Sequence, residues 1–288
     1  MNYLKLLLFS GVAAISLAAF ATLPSNNDGP TVVSLDHGSL DTLVELGLEN
    51  KVLAVPMRGL PGYLDSVAED RADAGGLKTP DMDAIRAVGP ELILVTGRQG
   101  ESMEELKTIG KIRNVGLQGE SYKDSVTARV TELATLYGLE ETAQASLADL
   151  WHYVDQQRES ITGDPEVVVI THNKGKFSLR DEPAVFELLA LKTSGIPEGV
   201  ESVTRGTRTF IPVTPEVVAE MAPDVLFIVD RSAAIGDTPM ALDSFMVSLK
   251  AAGAETSVTL LDPGLWYLSG GGLQSIRLQV DEVVSAVN

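Results

Sequence analysis

With 40 Asp and Glu against 22 Lys and Arg in 288 residues, the chain has a formal net charge of −18, which excludes non-specific binding to nucleic acid or anionic lipid. It has no cysteine, which excludes disulfides, iron–sulfur clusters, thiolate metal sites and a lipid-modified cysteine. Its overall field repels anionic ligands, so any anion site must be built locally from clustered arginines.

Residues 1–21 read as a cleaved signal peptide: Lys5 is the sole charge, Leu6 to Phe20 is apolar, and Ala19-Phe20-Ala21 is a small-x-small cleavage signal. An uncleaved anchor is the alternative. Residues 22–30 read as a disordered leader. An exported chain without a lipid anchor needs a compartment that retains it, which points to a periplasm. The pattern then predicts a strand over Thr31–Leu35, a helix over Ser39–Leu48 with Ser39 as N-cap, and a strand over Lys51–Val55. A helix over Asp81–Val88 and strands over Glu91–Thr96 and Ile112–Leu117 follow. Tyr122 to Ile161 is helical throughout, broken near Gly138, with Ala143, Leu147, Leu150 and Val154 at helical spacing. Beyond it come Glu166–Thr171, Pro183–Leu191, Pro215–Met221, Val225–Val229, Met240–Ala252, Val258–Leu261 and a last helix over Leu273–Val287. This order predicts an α/β fold of two Rossmann-like lobes with mostly parallel sheets, joined by one long rigid helix. The expected divisions are 31–138, 139–163 for the linking helix and 164–288, with the last helix packing back toward the N-terminal side.

A repeat connects the two halves. In Asp81-Met-Asp83-Ala-Ile-Arg-Ala-Val-Gly-Pro90-Glu-Leu-Ile-Leu-Val-Thr-Gly-Arg98 and Thr214-Pro-Glu216-Val-Val-Ala-Glu-Met-Ala-Pro223-Asp-Val-Leu-Phe-Ile-Val-Asp-Arg231, an acid precedes a proline and an arginine follows it at the same spacings. Each copy reads as cap, short helix, turn, buried strand, then arginine. Open parallel sheets bind ligands at the carboxyl ends of their strands. Arg98 and Arg231 therefore face one cleft if the lobes face each other, and their planar donor forks suit oxygen anions. The alternative is two surface arginines in loops.

Leu261-Asp-Pro-Gly-Leu-Trp266-Tyr267-Leu-Ser-Gly270-Gly-Gly272-Leu-Gln-Ser275 resembles the same region of periplasmic ferric-siderophore-binding proteins of ABC importers, above all the catecholate branch. Leu40 to Leu48, Val95-Thr-Gly-Arg98-Gln and Ile228-Val-Asp-Arg231 fit as well, so the likeness spans about residues 31–287. It implies the class with a single rigid linking helix and little hinge motion. It implies that Arg98 and Arg231 contact catecholate oxygens, and that Tyr267 can ligate Fe(III) where a siderophore leaves coordination sites open. It implies that Asp83 and Glu216 dock onto arginines of an inner-membrane permease dimer. The protein itself is expected to be a monomer with no intrinsic cofactor, its iron arriving as the siderophore complex.

Two departures from the branch stand out. A third arginine often precedes the helix beginning Phe186-Glu-Leu-Leu, and here Arg180 is near that place but out of register. Where some members carry an iron-ligating histidine, this chain has Thr204-Arg205-Gly206. Arginine cannot ligate iron, so Arg205 or Arg208 would instead add charge favouring a more fully coordinated, more anionic complex. The rival readings are a haem or corrinoid binder, with Tyr267 and His37 serving haem, and a siderophore-processing enzyme. No Gly-x-Ser-x-Gly elbow, P-loop, dinucleotide fingerprint or His-Glu-x-x-His supports an enzyme. Three histidines are too few for a free-metal receptor.

Overall fold

The computed structural model describes residues 29–288; the expected signal peptide and most of the leader lie outside the described residues. The N-terminal lobe holds β1 (Val32–Ser34), β2 (Val52–Val55), β3 (Ala72–Asp73), β4 (Leu92–Val95) and β5 (Lys111–Asn114) in the order β3-β2-β1-β4-β5. All its neighbouring strands are parallel. The C-terminal lobe contains β6 (Glu166–Asn173), β7 (Lys176–Leu179), β8 (Lys192–Thr193), β9 (Val203–Arg205), β10 (Arg208–Phe210), β11 (Pro212–Val213), β12 (Val225–Asp230) and β13 (Ser257–Leu261). There β8, β6, β12 and β13 pair in parallel, while β7 and β11 add an antiparallel edge. The hairpin β9–β10 belongs to neither sheet.

The apolar strand sequences follow from burial on both faces. In β4, Leu92 and Leu94 point to a central core, and Ile93 and Val95 to an outer layer with Ile85 and Leu106. In β12, Val225, Phe227 and Val229 point to that same central core, and Leu226 and Ile228 to an outer layer with Val218, Met221, Phe245 and Leu249. The inner faces of both sheets thus share one core. Three long helices fill it: Tyr122–Thr135, the spine Glu140–Ser160, and Leu273–Val287. The spine has 21 residues, about 32 Å of helix, and buries Ala143, Leu147, Leu150 and Val154. Lobes that share a core cannot separate without opening it, which physically accounts for a rigid linkage.

Several elements differ from expectation. The first helix runs His37–Glu45, and its cap is Asp36, not Ser39: Asp36 Oδ2 accepts from Ser39 N at 2.9 Å and from Ser39 Oγ at 2.8 Å. A carboxylate accepts both donors, so the cap moves upstream. The expected strand at Ile112–Leu117 is β5, Lys111–Asn114. Pro183–Leu191 contains one helical turn, Ala184–Leu188. The strands β7 to β11 were unforeseen, because short polar edge strands leave little periodicity.

A buried carboxylate joins the last helix to the first. Asp41 is fully buried and accepts from Gln274 N at 2.8 Å and Ser275 N at 2.7 Å. It caps the N-terminus of Leu273–Val287 from a helix of the N-terminal lobe. Burial raises its pKa from 3.8 to about 6, against those hydrogen bonds. The folded chain therefore holds this proton more tightly than the unfolded chain does. The group's contribution to stability is fully present below pH 4 and is lost as pH rises through about 6, a swing of about 3 kcal/mol. Asp41→Asn keeps an acceptor and cannot ionise. In urea titrations, wild-type stability minus variant stability should fall by roughly 3 kcal/mol between about pH 4 and pH 7; a pH-independent difference contradicts this role.

Candidate functional site

Arg98 and Arg231 each follow the carboxyl end of a central strand. After β4, Thr96 caps a turn of helix over Gly97–Ser102, with Gln99 Oε1 accepting from Thr96 N at 2.7 Å. Gln99 is buried, and its amide donates to Leu35 O and Leu77 O at 2.9 and 2.7 Å. This fixes the turn that carries Arg98. After β12, Asp230 caps the helix Arg231–Ala234, accepting from Ala233 N at 3.1 Å and from Met240 N at 2.7 Å. His172 Nε2 accepts from Gly175 N at 2.9 Å, so Nδ1 carries the proton and donates to Asp230 at 2.7 Å. Burial pushes the Asp230 pKa up, but the His172 and backbone hydrogen bonds outweigh it and hold the carboxyl below its ordinary value.

The two arginines meet at Tyr267. Arg98 Nη2 donates to Tyr267 O at 2.8 Å, and Arg231 Nε donates to Tyr267 Oη at 2.6 Å. Their guanidinium carbons lie 5.8 and 5.4 Å from the centre of its ring, within cation–π range. Arg231 Nη1 also donates to Asn173 Oδ1 at 2.7 Å. Around them is a cavity of about 390 Å³ walled by both lobes, with Arg58, Lys78 and Arg98 from the first and Arg231 from the second. Its apolar floor is Leu77, Ala234 and Leu268 beneath Tyr267. Among the described residues no carboxylate lines it. Among the described residues, none of these four cations forms an ion pair.

The other expected residues are more dispersed. Arg180 Nη2 donates to Trp266 O at 2.9 Å, next to Tyr267, but its Nε is paired with Glu182 Oε2 at 2.5 Å and it faces a different cavity. Burial raises the Glu182 pKa, and Arg180 opposes that shift. Arg208 shares an adjoining cavity of about 660 Å³ with Arg98 and Lys78. Arg205 lies opposite Arg208 on the hairpin, exposed. Asp83 and Glu216 are exposed, in the first turns of Met82–Val88 and Pro215–Met221. Asp83 pairs with Arg86 at 2.9 Å. Hydrogen bonds from the Thr214 side chain and its own backbone keep the Glu216 carboxyl below its usual value. His37 is fully buried against Pro56 O at 3.3 Å, and burial lowers its pKa; it does not line the cleft, which removes it as a haem ligand. Trp266 is core, its indole N–H donating to Glu282.

Sequence reasoning missed Arg58, Lys78 and Asn173. Arg58 follows β2 as Arg98 follows β4, so the strand-end rule applied to every strand would have found it. No comparable signal marked Lys78.

The sequence matches the periplasmic binding protein family over residues 32–262. The chain belongs to this family. It is 31% identical over 259 residues to the petrobactin-binding protein YclQ of Bacillus subtilis, covering 88% of this chain and 80% of YclQ. The crystal structure of YclQ superposes with a TM-score of 0.78 at 28% identity, covering 90% of this chain and 93% of that one. An iron uptake ABC transporter substrate-binding protein, PiuA of Streptococcus pneumoniae, superposes with a TM-score of 0.75 at 28% identity, over 89% and 93% of the two chains. The ferric-anguibactin-binding protein FatB of Vibrio anguillarum is 23% identical over 279 residues, 90% of this chain and 83% of its own. Among the described residues no helix is long and apolar enough to cross a membrane.

The cavity also fixes a backbone position. Gly59 has φ +78°, and a Cβ there would lie 2.6 Å from Leu268 Cδ1 and 3.3 Å from Ala234 O, both on the opposite lobe. Gly59→Ala should cost about 1–3 kcal/mol and lower the melting temperature; an unchanged melt contradicts the close approach of the lobes there.

Proposed function

We propose that this protein captures a ferric catecholate-type siderophore between its lobes and delivers it to an inner-membrane ABC permease. The observation that carries the proposal is a cluster of four cations that, among the described residues, have no ion-pair partner and no carboxylate beside them in the cavity, inside a protein of net charge −18. Such a cluster is self-repelling when empty, and an anion relieves it. A ferric tris-catecholate carries about three negative charges on an aromatic body, and each charge-assisted hydrogen bond contributes about 1.5–3 kcal/mol. The Leu77, Ala234 and Leu268 floor suits the apolar ring faces. Screening confines repulsion from the outer acids to roughly 8–10 Å, so the local cations prevail at contact.

The relatives' names support the same reading: YclQ binds petrobactin, FatB ferric anguibactin, and PiuA serves iron uptake. All three are named as binding proteins, and we read this chain as a binder rather than an enzyme. Tyr267 offers a phenolic oxygen to iron where the siderophore is not fully coordinating. Asp83 and Glu216, one per lobe and on matching helices, are read as the contacts to a permease dimer. The protein would act as a periplasmic monomer.

Quenching of tryptophan fluorescence by the ferric chelate measures the affinity. Arg98→Ala and Arg231→Ala should each weaken a ferric tris-catecholate by about 1–3 kcal/mol, roughly 5- to 150-fold, with an unchanged melting temperature. Unchanged affinity in both variants would remove the arginine clamp.

A further inference from the structure

The turn between β6 and β7 is tied to the segment that carries Arg231. His172 is opposite Phe177 and Asn173 opposite Lys176, so the turn residues are Lys174 and Gly175. Their φ values of +52° and +74° suit a tight type I′ hairpin turn. From this turn Asn173 Oδ1 accepts from Arg231 Nη1 at 2.7 Å, Lys174 N donates to Ser232 Oγ at 2.9 Å, and Lys174 Nζ pairs with Asp237 Oδ2 at 2.9 Å. The buried imidazole of His172 bridges the two segments. Its Nε2 accepts from Gly175 N at 2.9 Å, and its Nδ1 donates at 2.7 Å to Asp230 Oδ1, the carboxylate that caps the Arg231 helix.

The Gly175 bond requires that Nε2 carry no proton, because an imidazolium donates from both nitrogens. A proton there keeps the bond to Asp230 but sets one N–H against another at Gly175. The turn must then shift, and Asn173, which lies between His172 and the turn, shifts with it. A route for the proton exists: His172 and Gly175 line a cavity of about 540 Å³ together with Phe177, Met240 and Phe245. Few charges face the imidazole. Asp230 comes from β12, Lys174 is engaged by Asp237, and Lys176 is the one other charged residue lining the cavity among the described residues. The helix Leu242–Ala251 presents Ser244, Phe245 and Ser248 there, and the start of Pro215–Met221 presents Thr214 and Pro215, none of which titrates. The other arm of the cleft is built differently. Arg98 sits on a turn fixed by Thr96 and Gln99, whose side chains carry no titratable proton.

We infer that His172 is a positioning residue for Arg231, and that a proton on its Nε2 loosens the Asn173 hold on that guanidinium and weakens binding of the anion. This rests on the proposed ferric-siderophore reading and adds a proton-sensitive support to one arm of the cleft. Asn173 fixes Nη1 of Arg231 and Tyr267 fixes Nε, so losing the first lets the guanidinium turn about the second. The Arg98 arm keeps its geometry. By linkage, an anion bound to a fixed Arg231 in turn favours the neutral imidazole.

The test measures the dissociation constant of a hexadentate tris-catecholamide Fe(III) chelate on the full chain at about pH 7.5 and about pH 5.5, a span in which imidazoles take up a proton. The chelate's own protonation is common to every variant, so the ratio of the two constants is compared between variants. His172→Gln keeps an acceptor for Gly175 and cannot take up the proton. The ratio should be about fivefold larger for wild type than for His172→Gln, the worth of one neutral hydrogen bond. Arg98→Ala should keep that excess and Arg231→Ala should lose it, because the turn reaches Arg231 alone. In the ligand-free chain, hydrogen-exchange protection at Lys174 and Gly175 should fall about fivefold over the same span in wild type and in Arg231→Ala, and stay level in His172→Gln. Equal ratios in wild type and His172→Gln, an excess that survives Arg231→Ala, or level protection of the wild-type turn overturns the inference and leaves the siderophore reading standing. A wild type that does not bind the chelate at the higher pH overturns the siderophore reading and this inference with it.

Discussion

Two guanidinium groups from opposite lobes are anchored to one tyrosine. Arg98 is held to the carbonyl of Tyr267 and Arg231 to its hydroxyl. Among the described residues neither has a carboxylate to neutralise it, and Arg58 and Lys78 stand in the same cavity. Such an arrangement persists only if the surrounding structure fixes it. The common core does so, because the inner faces of both sheets and three helices pack as one body. The arginines are therefore preorganised, so that under the proposed function little of an anion's binding energy would be spent on ordering them.

The rest of the charge distribution is the counterpart of this cluster. Forty acidic residues cover a chain with only 22 basic ones, yet the cavity wall contains none of those acids. Arg180 shows what happens elsewhere: beside the same tyrosine's neighbour, it is neutralised by buried Glu182. The contrast separates an arginine held in an ion pair from arginines that, among the described residues, have none. Outside the cleft, the equivalent helices of the two lobes carry Asp83 and Glu216 in their first turns, where acids also complement the helix dipole.

Much of this was legible in the chain because it repeats. Equal spacing from cap to proline to arginine located Arg98 and Arg231 at matching strand ends, and both strands are observed there. The four apolar spine positions were legible because a long helix seen on one side imposes its period without interruption. Contacts that depend on tertiary approach were hidden. Nothing local distinguishes Arg180, with its partner Glu182 two residues on, from an unpaired arginine. Lys78 acquires its place only when β3 and its following loop fold against the other lobe. The β9–β10 hairpin has three residues per strand and no buried face, so it lacks the alternation that marks a strand.

The account's central claim is that iron, carried in an anionic chelate, sits where the two lobes' arginines converge. The most direct measurement is a crystal structure of the ferric tris-catecholate complex with data collected at the iron absorption edge. The account predicts a single anomalous peak inside the cavity walled by Arg58, Lys78, Arg98, Arg231 and Tyr267, with chelate oxygens bonded to Arg98 and Arg231. A peak on an outer surface, or a chelate in the cleft that touches neither arginine, would contradict it.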